Sequence, residues 1–322
     1  MTVILTANDL FEAQHAPLKL SWLAGHGGKR RLLEPATAKF PGLALVGHLN
    51  FVHPNRVQVL GSAEIKYLDT LDRATRKLTI HNLFACKTTT VVVIAQDEKA
   101  PNDLIEGANA AKLPLLATPL PSPKVIDRLQ YYLTRALAGR VTLHGVYMEV
   151  MGVGVLLTGK SGIGKSELAL ELLSRGHRLI ADDAVEFSRI APHVLLGRCP
   201  GMLSDFLEVR GLGILNVRAM FGDTAVRDEK TLRLIVHLEK MRKQRFNAID
   251  RLQAEQKTRT ILDVEIPEAA LFVAPGRNFA VLVEAATRNH ILRLRGVDPL
   301  AELVKRQTQA MQRGAKRAKA KQ

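Results

Sequence analysis

Apolar residues fall into two kinds of run along this chain. Short, mostly apolar runs have the length and β-branched content of strands: Leu43-Ala44-Leu45-Val46, Val57-Gln58-Val59-Leu60, and Thr88 to Ala95 with Val91-Val92-Val93-Ile94 at its centre. Between them apolar residues recur at helical spacing. Leu104 to Ala111 reads as a helix and Leu113-Pro114-Leu115-Leu116 as a short strand. Val125 to Leu137 reads as another helix, with Leu129, Leu133 and Leu137 on one face. Strands alternating with helices predict an α/β domain over residues 1–138. The stretch Thr118-Pro119-Leu120-Pro121-Ser122-Pro123 reads as a boundary or as a turn into the next helix, and the joint between domains is placed near Ala138-Gly139-Arg140.

A second α/β domain is predicted over residues 139–312. Val141 to Leu157 holds two apolar runs around Met151-Gly152, the layout of a hairpin. Leu179-Ile180-Ala181, Leu212-Gly213-Ile214-Leu215, Leu232 to Leu238 and Phe279 to Val283 all read as strands. Asp298-Pro299 opens a final helix, with a capping residue ahead of a first-turn proline. No internal repeat is visible.

This second half carries a motif. Gly159-Lys160-Ser161-Gly162-Ile163-Gly164-Lys165-Ser166 reads G-x-x-x-x-G-K-S, a phosphate-cradling P-loop. The apolar run Gly154-Val155-Leu156-Leu157 supplies a strand before it. A helix follows, with Leu168, Leu172 and Leu173 on one face, Glu167 and Glu171 on another, and Gly176 at its stop. Glycines let backbone N–H groups turn toward phosphate oxygens; Lys165 would reach the terminal phosphates and Ser166 a magnesium ion. A chance match is expected in roughly 1% of chains of this length. ATP is the expected nucleotide, and Gly159 through Ser166 are the candidate residues that bind it.

Composition narrows the class. The chain has 322 residues, 47% hydrophobic and 24% charged, and no apolar stretch of membrane-spanning length. Met1 to Gln14 lacks the layout of a signal peptide. Cys86 and Cys199 lie far apart and suggest neither a disulfide framework nor a metal site, so they read as structural thiols in a cytoplasmic protein. The net charge of +15 is concentrated toward the end, where Lys305 to Gln322 holds seven basic residues and no acid. Residues 313–322 read as a basic disordered tail. With aromatics at 5% and none inside that run, no nucleic-acid stacking surface is expected.

The chemical candidates cluster after the P-loop. Asp182-Asp183 ends an apolar strand in a Walker-B-like position, and neighbours on a strand point to opposite faces. One would therefore be catalytic and the other supporting. Two close carboxylates also raise the affinity of one for a proton. Glu208-Val209-Arg210-Gly211-Leu212-Gly213 places a Glu and an Arg beside glycines that permit close approach to a charged ligand. His144, in Leu143-His144-Gly145-Val146, precedes the P-loop strand. Pro275-Gly276-Arg277-Asn278 is a turn by composition that could aim Arg277 at a phosphate.

These segments, together with Arg175-Gly176-His177-Arg178-Leu179-Ile180-Ala181-Asp182-Asp183, Asp250-Arg251-Leu252, Phe279-Ala280-Val281 and Val57-Gln58-Val59-Leu60-Gly61, resemble the bifunctional HPr kinase/phosphorylase family over nearly the whole chain. The resemblance implies an N-terminal α/β domain for assembly or regulation and a C-terminal P-loop kinase domain. It implies ATP-dependent phosphorylation of a seryl residue on the phosphocarrier HPr, within the regulation of carbon metabolism. The reverse activity would use inorganic phosphate and release pyrophosphate. By the same resemblance Lys165 binds the transferred phosphate, Ser166 and Glu208 hold Mg²⁺, Asp183 moves the proton, and Asp182 supports it. His144 and Arg251 match further active-site positions, Leu207 to Asn216 a segment used in both reactions, and Phe272 to Arg277 one tied mainly to dephosphorylation. A homohexamer is implied as well. Two features depart from the family pattern: Lys160 stands where an acidic residue is usual, and Lys240 to Ala248 is unusually basic.

Two other readings fit the P-loop itself. One is a different phosphotransfer enzyme, such as a small-molecule kinase or a phosphoenolpyruvate carboxykinase-like protein. The other is a nucleotide-sensing regulator that docks nucleic acid through its tail, which predicts binding that falls steeply with salt. The combined set of His144, Asp182-Asp183 and Glu208 to Gly213 separates the kinase/phosphorylase reading from both.

Overall fold

A computed structural model of the chain describes residues 5–33, 45–50, 55–240, 257–274 and 276–319. The chain divides after Gly139 into two compact units.

The first unit begins with β1 (Leu5–Thr6), α1 (Ala7–Leu18), β2 (Ser21–Ala24), β3 (Leu32–Leu33) and β4 (Val46–His48). It continues through β5 (Val57–Leu60), α2 (Ser62–Thr70), α3 (Arg73–Ala85), β6 (Val91–Ile94), α4 (Asn102–Ala111), β7 (Leu115–Ala117) and α5 (Ser122–Ala136). Five strands form one sheet in the order β2-β7-β6-β5-β4, parallel except for β2 at its edge. Val57, Val59, Val91 and Val93 pack on one face with α1 and α5, and Leu60, Val92 and Ile94 on the other with α2 to α4. That double coverage is why β6 is an unbroken apolar run rather than an alternating one. Of the predicted strand at Leu43 to Val46, the first two residues lie outside the described residues, and Val46 opens β4.

The second unit opens with β8 (Arg140–His144), β9 (Val146–Val150), β10 (Val153–Gly159), α6 (Lys165–Ser174), β11 (Arg178–Ala181), β12 (Ala184–Ala191) and β13 (Val194–Arg198). It goes on with β14 (Phe206–Val209), β15 (Gly213–Asn216), α7 (Val217–Phe221) and β16 (Glu229–Lys240). Last come β17 (Lys257–Ile261), β18 (Val264–Val273), α8 (Phe279–Leu294) and α9 (Pro299–Lys319). A nine-stranded sheet runs β11-β9-β10-β16-β13-β12-β8, with β18 also on β16 and β17 on β18. The P-loop strand β10 lies between β9, antiparallel, and β16, parallel. Leu168, Leu172 and Leu173 of α6 and Ala280 and Val283 of α8 pack on one face of the sheet; Tyr147, Phe187 and Ile235 belong to the cluster on the other.

Three expectations change here. Val141 to Leu157 forms three strands, not two: β9 and β10 make the expected hairpin, while β8 leaves to pair with β12. The hairpin turns through Met151 and Gly152, both at positive φ (52° and 80°), as a two-residue turn between twisted strands requires. Phe279 to Val283 is the first turn and a half of α8, not a strand. A five-residue apolar run is too short to show its period. The deciding signals are Asn278, whose side chain accepts from Val281 N at 2.9 Å, and burial at 280, 283, 284, 287 and 290. Finally, residues 313–319, read as disordered, continue α9. Alanine, lysine and arginine are strong helix formers, and Gly314 is the sole weak one among those residues.

Candidate active site

The P-loop sits where β10 emerges from the sheet. Gly159 ends the strand at φ 148°, and a Cβ there would stand 2.7 Å from the Leu238 carbonyl oxygen, so only glycine lets the loop start this close to β16. Gly164, at φ 100°, turns the chain into α6 without a side-chain cap, which leaves the first N–H groups of the helix directed at a ligand. Beneath the loop, Thr158 is buried and its hydroxyl lies 2.8 Å from His237 Nδ1 on β16. The Lys165 ammonium donates to the carbonyls of Gly159 (3.3 Å) and Lys160 (3.4 Å), folded over the loop it belongs to.

Asp182 and Asp183 follow β11, and their side chains separate because the chain leaves extended geometry at Asp183. The Asp182 carboxylate points inward. Its Oδ1 accepts from the Ser166 hydroxyl at 3.4 Å and its Oδ2 from the Glu208 backbone N–H at 2.9 Å. Burial pushes the Asp182 carboxyl above the ordinary range; hydrogen bonds from the Glu208 and Asp183 amides and from Ser166 oppose the shift, and the Asp183 charge adds to it. Asp182 is thus the hub joining the P-loop helix to the β14–β15 hairpin.

Asp183 adopts a left-handed conformation (φ 65°), which turns its carboxylate out. Its carbonyl accepts from Gly145 N at 3.1 Å and from His144 Nδ1 at 3.2 Å, and its Oδ1 lies 3.6 Å from the same ring nitrogen. A carbonyl only accepts, so His144 carries its proton on Nδ1 and, when neutral, presents Nε2 as an acceptor. Both side chains are open to solvent, at 87% for His144 and 83% for Asp183. A group attached to another protein can reach them.

The Glu208-to-Gly213 segment forms a two-stranded hairpin, β14–β15, held by burial of Leu207 and Val209 in the core beside α6. Arg210 is the arginine that the sequence placed beside the glycines of this segment. Its guanidinium leans over the P-loop, 3.9 Å from where a Gly162 Cβ would stand. The signal was an arginine between a strand and a glycine. His237 was missed, because its link to Thr158 runs across two strands distant in sequence. Arg277 is exposed in the turn before α8. Arg251 and residues 241–248 lie outside the described residues, as does Pro275. Cys86 and Cys199 are half-buried free thiols. Among the described residues no group of three or more His, Cys, Asp or Glu side chains could by itself hold a metal.

The sequence was compared with known proteins. The HPr Serine kinase C-terminal domain family matches residues 135–307, and the HPr Serine kinase N terminus family matches residues 5–133. HPr kinase/phosphorylase of Chromobacterium violaceum is 50% identical over 94% of this chain and 95% of its own. The protein of the same name from Xanthomonas campestris pv. campestris is 48% identical over 97% of this chain and 99% of its own. A solved structure of the Hpr(Ser) kinase/phosphatase from Coxiella burnetii is 35% identical, with a TM-score of 0.46, and covers 48% of this chain and 93% of that one. Two domain families in series, near-full-length relatives and a P-loop flanked by a divided aspartate pair lead to one conclusion: this chain is an enzyme of the HPr kinase/phosphorylase family.

Proposed function

We propose that this chain transfers the γ-phosphoryl group of ATP to a seryl hydroxyl of HPr at the Gly159–Ser166 loop, and reverses the modification with inorganic phosphate. The observation that carries this reading is the division of labour in the aspartate pair: Asp182 turned in toward Ser166, Asp183 turned out beside His144. A general base for a serine on a folded protein must be accessible, and Asp183 is.

In the forward direction the serine oxygen attacks the γ-phosphorus, the bond to the ADP oxygen breaks, and Asp183 takes the serine proton. His144 holds the Asp183 carbonyl and so fixes the turn that presents the carboxylate. In reverse, an oxygen of inorganic phosphate attacks the phosphoserine phosphorus. Asp183 returns a proton to the leaving serine oxygen, and pyrophosphate departs. Phosphoryl transfer depends on positioning and charge neutralisation more than on covalent chemistry, and Lys165, Arg210 and the loop amides supply both. Arg251 joins them by family resemblance.

The donor set suits Mg²⁺. Ser166 and Glu208 offer hard oxygen ligands, and Asp182 ties the two together through the Ser166 hydroxyl and the Glu208 amide. When bound, Mg²⁺ neutralises charge on the phosphates. We also propose that the chain works in the cytoplasm as a homohexamer, with residues 1–138 serving assembly or regulation; no described helix is long and apolar enough to cross a membrane.

The test is transfer from ATP/Mg²⁺ to purified HPr, with Lys165→Ala and Asp183→Asn as controls, followed by incubation of the phosphoserine product with inorganic phosphate and assay of pyrophosphate. Transfer that both controls lose, then pyrophosphate release, supports both halves. Transfer without release would leave a kinase alone and direct attention to Lys160 and to residues 272–277. Nucleotide binding without transfer to HPr would sink the proposal.

A further inference from the structure

The first unit has a concavity that the phosphoryl-transfer site does not use. A cavity of about 350 Å³ opens beside β5, between that strand and helices α2 and α3. This is within the size range of small-molecule sites. Every described side chain lining it is uncharged. A charged ligand would find no counter-charge on that wall, which favours a neutral occupant.

The wall is polar and pre-formed. Gln58 lies within an otherwise apolar strand and is 1% exposed. Its carboxamide exchanges two hydrogen bonds with the main chain of Asn50, each 3.2 Å, and its Oε1 also accepts from Asn55 Nδ2 at 3.4 Å. A glutamine costs free energy at a core position unless paired, and here the pairing fixes one side of the cavity. The opposite side comes from α3. The Thr79 hydroxyl donates to the Thr75 carbonyl at 2.8 Å and so faces a ligand as an acceptor. The Asn82 carboxamide and the Tyr67 phenol have no protein partner among the described residues. A free amide presents a donor and an acceptor side by side, which matches adjacent hydroxyls. Tyr67, half exposed at the rim, adds an apolar ring face.

We propose that the first unit holds a binding site for a small, neutral, polyhydroxylated molecule of monosaccharide size, seated between Gln58 and the Thr79–Asn82 face of α3. The site is independent of the phosphoryl-transfer reading and would stand if that reading failed.

Cys86 lines the same cavity and serves as a reporter. Burial pushes its thiol up, but hydrogen bonds with Thr88 (2.9 Å) and Thr89 outweigh this and hold it below the ordinary thiol range, which favours the thiolate that alkylates. In the full-length Cys199→Ser chain Cys86 is the only cysteine. Its alkylation by iodoacetamide would be timed with glucose, N-acetylglucosamine or myo-inositol titrated over a millimolar range, and with glucose phosphate as the charged comparator. At ten times its Kd an occupant that shields the thiol slows labelling about tenfold. Saturable protection by at least one neutral compound, lost in both Asn82→Leu and Thr79→Val while the thermal unfolding midpoint and the labelling rate without ligand are unchanged, is the expected result. Absence of protection by all three neutral compounds overturns the proposal, as does protection that survives both substitutions. Equal protection by glucose phosphate overturns the claim of a neutral ligand.

Discussion

The left-handed conformation of Asp183 puts two adjacent carboxylates into different environments. One is turned into the protein and hydrogen-bonded; the other is at the surface. Substitutions at the two positions should therefore fail differently. Asp183→Asn keeps the shape and removes the base, so kcat should fall about 10²–10⁴-fold while ATP affinity, measured by calorimetry, stays unchanged. Asp182→Asn should instead disturb the Ser166 and Glu208 contacts and shift the Mg²⁺ concentration needed for half-maximal activity. Equal loss of kcat with unchanged Mg²⁺ dependence in both variants would refute the division. The pair was legible as Asp-Asp after a strand. Which member faces out was not, because it depends on one φ angle set by the contacts of Gly145 and His144 to the Asp183 carbonyl.

At the level of elements, the P-loop helix is tied to α8 by an ionic cluster around the buried Glu284. Glu284 accepts from Arg175 Nε and Nη2, both at 2.8 Å, and lies 3.0 Å from His177 Nε2. Arg175 and His177 flank Gly176 at the end of α6, so this cluster and the helix stop are one structure. Hydrogen bonds from Arg175 and His177 hold the Glu284 carboxyl down at about 2. A depressed carboxyl stabilises the fold above its unfolded value, near 4.3, and that contribution is lost as pH falls through the folded value. Urea unfolding of wild type and Glu284→Gln should therefore differ by a constant amount above pH ~5, and the gap should narrow as pH falls from there toward 2. A gap that does not change with pH would refute the assignment. The sequence displayed Arg175-Gly176-His177 as part of a motif, but nothing in it pointed to Glu284, 107 residues beyond His177.

For the whole molecule, the charge is the feature to explain. Much of the excess lies on α9, which is exposed along its described side chains from Ala301 to Met311. Truncation after Met311 removes five of the basic residues and should leave transfer to HPr within about twofold of wild type, since surface changes away from a site have small effects. Loss of transfer on truncation would favour the nucleic-acid-docking regulator, which also predicts activity that falls steeply with salt.

What the sequence determined by itself was local. A P-loop is eight consecutive residues, its strand and helix flank it directly, and the valine run of β6 announces a doubly covered strand; these are short-range patterns. The two-unit organisation was legible for the same reason, since each half has its own alternation of strands and helices. Tertiary structure decided whatever joins distant segments. It sent β8 to β12 instead of into the hairpin, turned the run at Phe279 into a helix through the Asn278 cap and its buried face, laid Arg210 over Gly162, and set His237 beneath Thr158. The Asn278 cap is a contact of three residues, beside an apolar run too short to show its period; the other outcomes depend on hydrogen bonds and packing between residues tens of positions apart, which no local pattern encodes.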